Sequence, residues 1–284
     1  MRKLTMVMMV AALVGLMCAA AYASGGGFRD ARVLGMGLVR VGLPGGSTAF
    51  SDNPGALPTV QTWGMRLSPW PARVSGTATI DSESDGDRYS IAGSARNTAG
   101  TQGLGAGWAT VDGTYSDLDL FGIGYGAMCP CGLMGGVSLN YQSWDTSDGM
   151  STEQNGSDDN TWFDVGLFKQ FELPLSTWSL GLVARDVTDE FGTGPTFDVG
   201  AAVELPTGLR IGADLVDATD EVNTVVNLGA EWPLPLSPIV VRAGLADGDF
   251  TAGAGYRISN WEIGAAWADF EGGDETVVSA TGCF

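Results

Sequence analysis

Residues 180–232 contain a repeat of themselves, and the two faces of that repeat limit the folds open to the chain. Asp186-Val187-Thr188-Asp189-Glu190 recurs 31 residues later as Asp217-Ala218-Thr219-Asp220-Glu221. Each copy lies between two alternating runs, 180–184 and 197–204 in the first unit, 209–215 and 226–232 in the second. A proline-bearing turn closes each unit, Leu205-Pro206-Thr207-Gly208 or Pro233-Leu234-Pro235. A period of two marks each unit as a β-hairpin. A repeat of this length also fits a solenoid or a propeller, but the chemistry of the faces decides against both. Phe197, Val199, Ala201 and Val203 alternate with Asp198, Gly200, Ala202 and Glu204. Leu209, Ile211, Ala213 and Leu215 alternate with Arg210, Gly212 and Asp214; Trp261, Ile263, Ala265 and Trp267 alternate with Glu262 and Gly264. A soluble sandwich would crowd its polar face with Lys, Glu and Thr. Here that face is glycine with sparse charge. Aliphatics on the convex side and small or charged residues on the concave side fit a transmembrane antiparallel β-barrel.

The start of the chain agrees with export. Residues 1–23 carry Arg2 and Lys3, an apolar run over 4–20, and Ala21-Tyr22-Ala23 as a small-x-small cleavage site. No later apolar run is long enough to span a bilayer as a helix, and a barrel needs none. The chain has 14 Lys and Arg; without Arg2 and Lys3, 12 remain against 33 Asp and Glu, a formal charge of −21. That balance speaks against nucleic acid as a partner.

Turn signals divide residues 63–284 into about 14 strands, with roughly 12–16 compatible with the pattern. The first strand is expected over 62–80, kinked at Pro69 and Pro71, and the longest loop over 145–160. Alternate turns differ in character. Those near 81–87, 112–119, 145–159, 186–190, 217–221, 247–249 and 269–275 hold 24 of the 33 carboxylates. The others hold Pro130, Pro174, Pro206, Pro233, Pro235 and Pro238, and Glu172 alone among carboxylates. The acidic end is assigned to the exterior and the proline end to the periplasm. Trp178, Trp232 and Trp261 fall at the proline end; Trp108, Trp144, Trp162 and Trp267 fall at the acidic end. Two aromatic girdles against lipid headgroups are expected from this.

Residues 24–62 break the alternation. Ala31-Arg32-Val33-Leu34-Gly35-Met36-Gly37 is followed by Thr48-Ala49-Phe50-Ser51-Asp52-Asn53-Pro54-Gly55-Ala56-Leu57. The run resembles the amino-terminal signature of FadL-like and PorV/PorQ-like outer-membrane barrels, in which Ala-Arg-x-x-Gly-Met-Gly precedes a short helix and Asn-Pro-Ala-Gly. Asn53, Pro54 and Gly55 match. The alanine between proline and glycine is absent, and Pro44-Gly45-Gly46 stands where the family usually carries an acidic pair. The later hairpins also resemble the carboxy-terminal half of the PorV/PorQ-like group.

The resemblance implies that residues 24–62 enter the barrel as a hatch. It also implies passage of a hydrophobic small molecule across the outer membrane, or export of proteins with a periplasmic or secretion partner. Hydrophobic cargo predicts an apolar pocket between hatch and wall, built partly from Leu34, Met36, Leu38 and Phe50. The competing reading is a plugged structural barrel that presents acidic loops and transports nothing.

Catalytic chemistry finds little footing. The chain has no histidine, which removes Ser-His-Asp and Cys-His catalysis and histidine metal sites. Its carboxylates lie mostly in turns, where a solvated surface is the ordinary reading. No enzyme activity and no cofactor are expected. Asp81, Glu83, Asp85 and Asp87 alternate as in a calcium loop, but the twelfth position is Ala92, which excludes an EF-hand. Loose divalent-cation binding by the acidic rim is what remains. Cys129-Pro130-Cys131 marks a tight turn. So small a ring argues for incidental thiols, whereas an oxidising periplasm would allow a disulfide. The alternation places Arg185, Arg210, Arg242, Arg257, Asp198, Glu204, Asp214, Glu231 and Glu262 in the lumen. Opposite charges there are expected to pair, because a lone buried charge is costly. Such a lumen suits a narrow aqueous pathway or a socket for the amino-terminal segment.

Overall fold

A computed structural model describes residues 28–61, 71–81, 87–112, 116–146, 156–192, 194–219, 224–270 and 273–284. The expected signal at 1–23 and the stretch at 62–70, with Pro69, lie outside the described residues.

The wall is a closed barrel of 14 strands, each paired to its sequence neighbours, with the last returning to the first. In order they are β1 (Ala72–Asp81), β2 (Asp87–Arg96), β3 (Gln102–Asp112), β4 (Ser116–Met128), β5 (Leu133–Thr146), β6 (Gly156–Leu173) and β7 (Ser176–Arg185). They continue as β8 (Thr196–Glu204), β9 (Arg210–Val216), β10 (Val225–Pro233), β11 (Ile239–Ala246), β12 (Asp249–Ile258), β13 (Trp261–Phe270) and β14 (Gly273–Cys283). All pairs are antiparallel, and β1 closes on β14 with Arg73 opposite Cys283. Closure removes the free sheet edge that no lipid could satisfy.

The strands alternate as their sequence requires. On β13, Trp261, Ile263, Ala265 and Trp267 are exposed, while Glu262, Gly264, Ala266 and Ala268 are buried. Ile91, Phe121, Val137, Leu180, Val199, Leu228 and Ile263 belong to the same exposed apolar belt. Such a continuous apolar exterior belongs in a bilayer.

Two departures from the sequence expectation stand out. β5 and β6 extend to Thr146 and from Gly156, so much of the anticipated 145–160 loop is strand. At 18 residues, β6 is longer than the roughly 9–11 residues that span a bilayer and projects beyond it. The second departure is Trp162. It is buried in the lumen and packs edge-to-face on Phe191, with ring centroids 5.1 Å apart. It is no part of a headgroup girdle, because alternation with the exposed Phe163 and Val165 points it inward.

The repeat also has a structural cause. Asp186 and Asp217 both adopt left-handed backbone, with φ of 46° and 50°. Asp tolerates this region because its side chain can bond to the nearby backbone. Asp186 accepts from the Thr188 hydroxyl and from the amides of Glu190 and Phe191, and Asp217 accepts from the Thr219 hydroxyl. Each Asp amide donates to a lumenal carboxylate on the preceding strand, Asp186 at the end of β7 to Asp164 on β6 and Asp217 at the end of β9 to Asp198 on β8, both at 3.0 Å. The amides of Val187 and Ala218 donate to the carbonyls of Phe163 and Phe197. The first residues of each acidic turn, Asp186–Val187 and Asp217–Ala218, are therefore folded down onto the neighbouring strand. The leading Asp of each turn is buried, which corrects the placement of Asp186 and Asp217 in a solvated acidic rim.

Candidate functional site: a lumen filled by the amino-terminal segment

Residues 28–61 lie inside the barrel, and nearly every one is buried. The segment contains the helix Ala31–Gly35, the helical turn Ala49–Asp52 and the 3-10 helix Pro54–Thr59. Asp30 starts the first helix, its side chain accepting from the amides of Arg32 and Val33.

The wall meets this segment through glycine. A Cβ on Gly229 would collide with the Met36 carbonyl, and one on Gly181 with the Val41 carbonyl. Gly136 lies against Pro54, Gly166 against Asn53, and Gly244 against Gly37 in the same way. The glycines of the concave face are therefore contact positions, where a side chain would displace the segment's backbone. They do not leave an open pathway.

The Asn53-Pro54-Gly55 motif forms one of these contacts. Asn53 is fully buried, and its amide donates to the carbonyls of Val41 and Leu167. Its side-chain oxygen accepts from the Gly55 amide. Pro54 occupies the start of the 3-10 helix, where its missing N–H costs nothing. Gly55 approaches the Gly166 carbonyl too closely for any larger residue to be comfortable.

Charged wall residues make the remaining anchors. Glu231 accepts from three guanidinium groups, Arg32 at 3.1 Å, Arg210 at 2.9 Å and Arg242 at 2.8 Å. Arg210 also pairs with Glu204, and Glu262 pairs with both Arg242 and Arg257. These six wall residues and Arg32 form a single chain of ion pairs. Arg185 stands in a second group with Asp198 at 2.9 Å and Asp164 at 3.4 Å. It also donates to the carbonyls of Ser51 and Asp52. Asp214 stands apart from both groups. Its carboxylate accepts from the successive amides of Arg40, Val41 and Gly42, a backbone cradle on the segment. Arg29 pairs with Glu275 at 2.8 Å.

Sequence reasoning missed Asp164, Glu275, Arg29 and Arg32 as partners. Alternation alone places Asp164 inward beside the exposed Phe163. The other three could be found only once the segment was known to lie against the wall.

The apolar residues expected to leave a pocket are already packed. Leu34 sits on Ala266, Ala268 and Val277; Met36 sits with Val39, Leu43 and Ala202. Phe50 packs edge-to-face on Phe28, centroids 4.9 Å apart, in a cluster with Leu57, Leu120 and Trp162. Leu38 is partly buried. A cavity of about 10 Å³ lies within the segment, bordered by Arg32, Arg40, Thr48, Asp52 and Asn53. It has room for about one water and is no apolar cargo pocket.

Asp52, on the lumenal segment and not on a spanning strand, faces this cavity. Burial pushes its carboxyl up to about 6, against the opposing pull of Arg40 and the Thr48 hydroxyl. Its Oδ2 accepts from Thr48, while Oδ1 has no hydrogen-bond partner among the described residues.

Of the cation candidates, Glu83 and Asp85 lie outside the described residues. Asp81 and Asp87 are described only as the facing ends of β1 and β2. Among the described residues no cluster of metal-ligating side chains is present. Cys129 and Cys131 form a disulfide across the β4–β5 turn, so their expected reading as incidental thiols gives way to the alternative. Cys283 is buried on β14.

No known family model and no curated protein matches the chain. Solved structures do. The monoaromatic hydrocarbon channel CymD aligns with a TM-score of 0.60 at 14% identity, covering 90% of this chain and 97% of CymD. A FadL homologue from Pseudomonas aeruginosa gives 0.58 at 11% identity, covering 90% and 98%. The toluene transporter TodX of Pseudomonas putida gives 0.56 at 11% identity, covering 91% and 99%. At such identities the likeness establishes architecture, and the architecture of this chain is that of the FadL-like outer-membrane channels.

Proposed function

We propose that the chain is an outer-membrane channel for hydrophobic small molecules, held closed in this conformation by residues 28–61. The observation that carries the proposal is end-to-end likeness to proteins described as hydrocarbon channels and toluene transporters. Phe28, Phe50, Trp162 and Phe191 support it by forming an apolar, aromatic cluster between segment and wall on the acidic side, buried except at the partly exposed Phe191. Charged anchors and smaller aliphatic clusters around Leu34 and Met36 hold the segment elsewhere, and the aromatic cluster behind Phe191 is the part best suited to an apolar solute. The acidic loops then face the exterior and the proline turns face the periplasm. Bilayer lipid surrounds the wall.

The packing of residues 28–61 into the lumen favours one competitor, a plugged structural barrel without transport. Export of proteins would need a periplasmic or secretion partner and has no comparable support among the contacts described.

Two measurements on the purified mature chain separate the readings. The first is uptake of labelled toluene and of a long-chain fatty acid by vesicles containing the protein. The second is single-channel conductance, for the full chain and for a chain lacking residues 29–58. A channel takes up apolar solute with low ionic conductance when intact, and conducts ions once the segment is removed. Absence of solute uptake by the intact chain, with conductance still gained on deletion, leaves the structural barrel. If the deletion does not fold, Gly229→Ala and Glu231→Gln serve as milder openings.

A further inference from the structure

We propose that Cys129 and Cys131 form a thiol–disulfide exchange site, reduced by a dithiol protein of the compartment facing the proline-rich end. The pair lies on the tip of the β4–β5 hairpin, outside the apolar belt. The turn is closed by the Gly132 amide on the Cys129 carbonyl at 2.8 Å, and by the Cys129 amide on the Leu133 carbonyl at 2.8 Å. These bonds hold the turn without help from sulfur. The cystine therefore adds little to a hairpin already fixed by β4–β5 pairing from Ser116–Thr146 to Met128–Met134.

Exposure and charge point the same way. Pro130 and Cys131 are exposed and Cys129 is half-buried. Structural disulfides are ordinarily shielded, whereas exposed ones are the labile class. One residue separates the two sulfurs, so both thiols stay in one place after reduction and can close again. Lys169 reaches across from β6 and donates to the Cys131 carbonyl at 2.7 Å. A fixed ammonium on the turn favours the thiolate released there.

The exchange is balanced. A thiolate of the reducing dithiol attacks the exposed Cys131 sulfur, and the S–S bond breaks to release Cys129 as thiolate. The second thiol of the reductant then attacks the mixed disulfide and releases Cys131. The reductant leaves as a disulfide, and the two electrons and two protons it gives up convert the pair to two thiols. The reverse sequence restores the starting state. The proposal does not rest on transport; only the compartment of the partner depends on the assigned orientation.

The test uses the folded mature chain in detergent, with dithiothreitol as the dithiol and a maleimide as the label. Buried Cys283 serves as the internal control. Two labels are expected under native conditions, with Cys283 protected until the barrel is unfolded, and the pair is expected to close again when the reductant is replaced by oxidised glutathione, which takes up the two electrons. Cys129→Ser leaves Cys131 to form a mixed disulfide with oxidised glutathione. Adding Lys169→Gln should slow that capture by about threefold or more. A pair that resists dithiothreitol until the barrel unfolds overturns the proposal, as does capture at an unchanged rate without Lys169. Neither readout involves solute movement, so failure of the channel reading would leave the result intact.

Discussion

Glu231 is the residue on which wall and lumenal segment depend together. It is fully buried, and three guanidinium groups, one of them from the segment, converge on its two oxygens. Removing one member of a buried ion pair typically costs about 3–5 kcal/mol, because the remaining charges lose their partner without regaining water. Glu231→Gln should therefore destabilise the barrel by roughly that much. A lowered midpoint in urea, read by loss of the heat-resistant folded band, would show it; a change within error would mean that the three arginines find other acceptors. Asp52 acts in the opposite sense. Its folded value, about 6, lies above its ordinary 3.8. The stability it contributes is whole below the ordinary value and is lost as pH rises through about 6. Wild type should lose about 2 kcal/mol relative to Asp52→Asn between pH 4 and pH 7. Parallel stability curves for the two proteins over that interval would contradict the assigned burial.

Among elements, the decisive contact is between strand glycines and the backbone of the segment. Gly229 on β10 has no space for a methyl group beside the Met36 carbonyl, whereas Gly76 on β1 faces nothing within 4 Å. Gly229→Ala should cost about 1–3 kcal/mol or displace the segment, raising conductance, and Gly76→Ala should do neither. Equal behaviour of the two variants would refute the close fit. This contact also marks where the sequence stops being readable. The period of two is a property of one strand, so the outward Phe197, Val199 and Ile211 and the inward Arg185, Asp198 and Glu231 could be read locally. The meaning of an inward glycine depends on what lies opposite it, tens to some two hundred residues away in sequence. Open space and a filled lumen produce the same residue. The Thr-Asp-Glu repeat had the same ambiguity. Its spacing identified hairpins, yet the left-handed backbone at Asp186 and Asp217 turned two apparent rim carboxylates inward. Trp162 shows the reverse: its place near the acidic end suggests a girdle, but alternation with the exposed Phe163 and Val165 points its indole into the lumen.

For the whole molecule, the question is which end faces outward, and charge gives the argument. The turns joining β1 to β2, β3 to β4, and so on in alternation to β13 and β14, taken together with the strand ends beside them, carry most of the carboxylates, even after the buried Asp186, Asp217 and Glu275 are set aside. The opposite turns are short, with apolar tips such as Leu175 and Leu236, both highly exposed. Short turns belong to the periplasmic end of a bacterial barrel and longer polar loops to the exterior. Both ends of the wall agree, since β1 begins and β14 finishes at the proline-rich end, where the Ala72 amide meets the Phe284 carbonyl. Single cysteines in a background without Cys129, Cys131 and Cys283 test this directly. Ser157→Cys, at the acidic end of β6, should react with a membrane-impermeant maleimide on intact cells. Thr207→Cys, exposed in the β8–β9 turn, should react only after the outer membrane is permeabilised. The reverse pattern would invert the barrel. Phe191 and the aromatic cluster behind it would then lie at the periplasmic end, and apolar solute could no longer reach them first from outside.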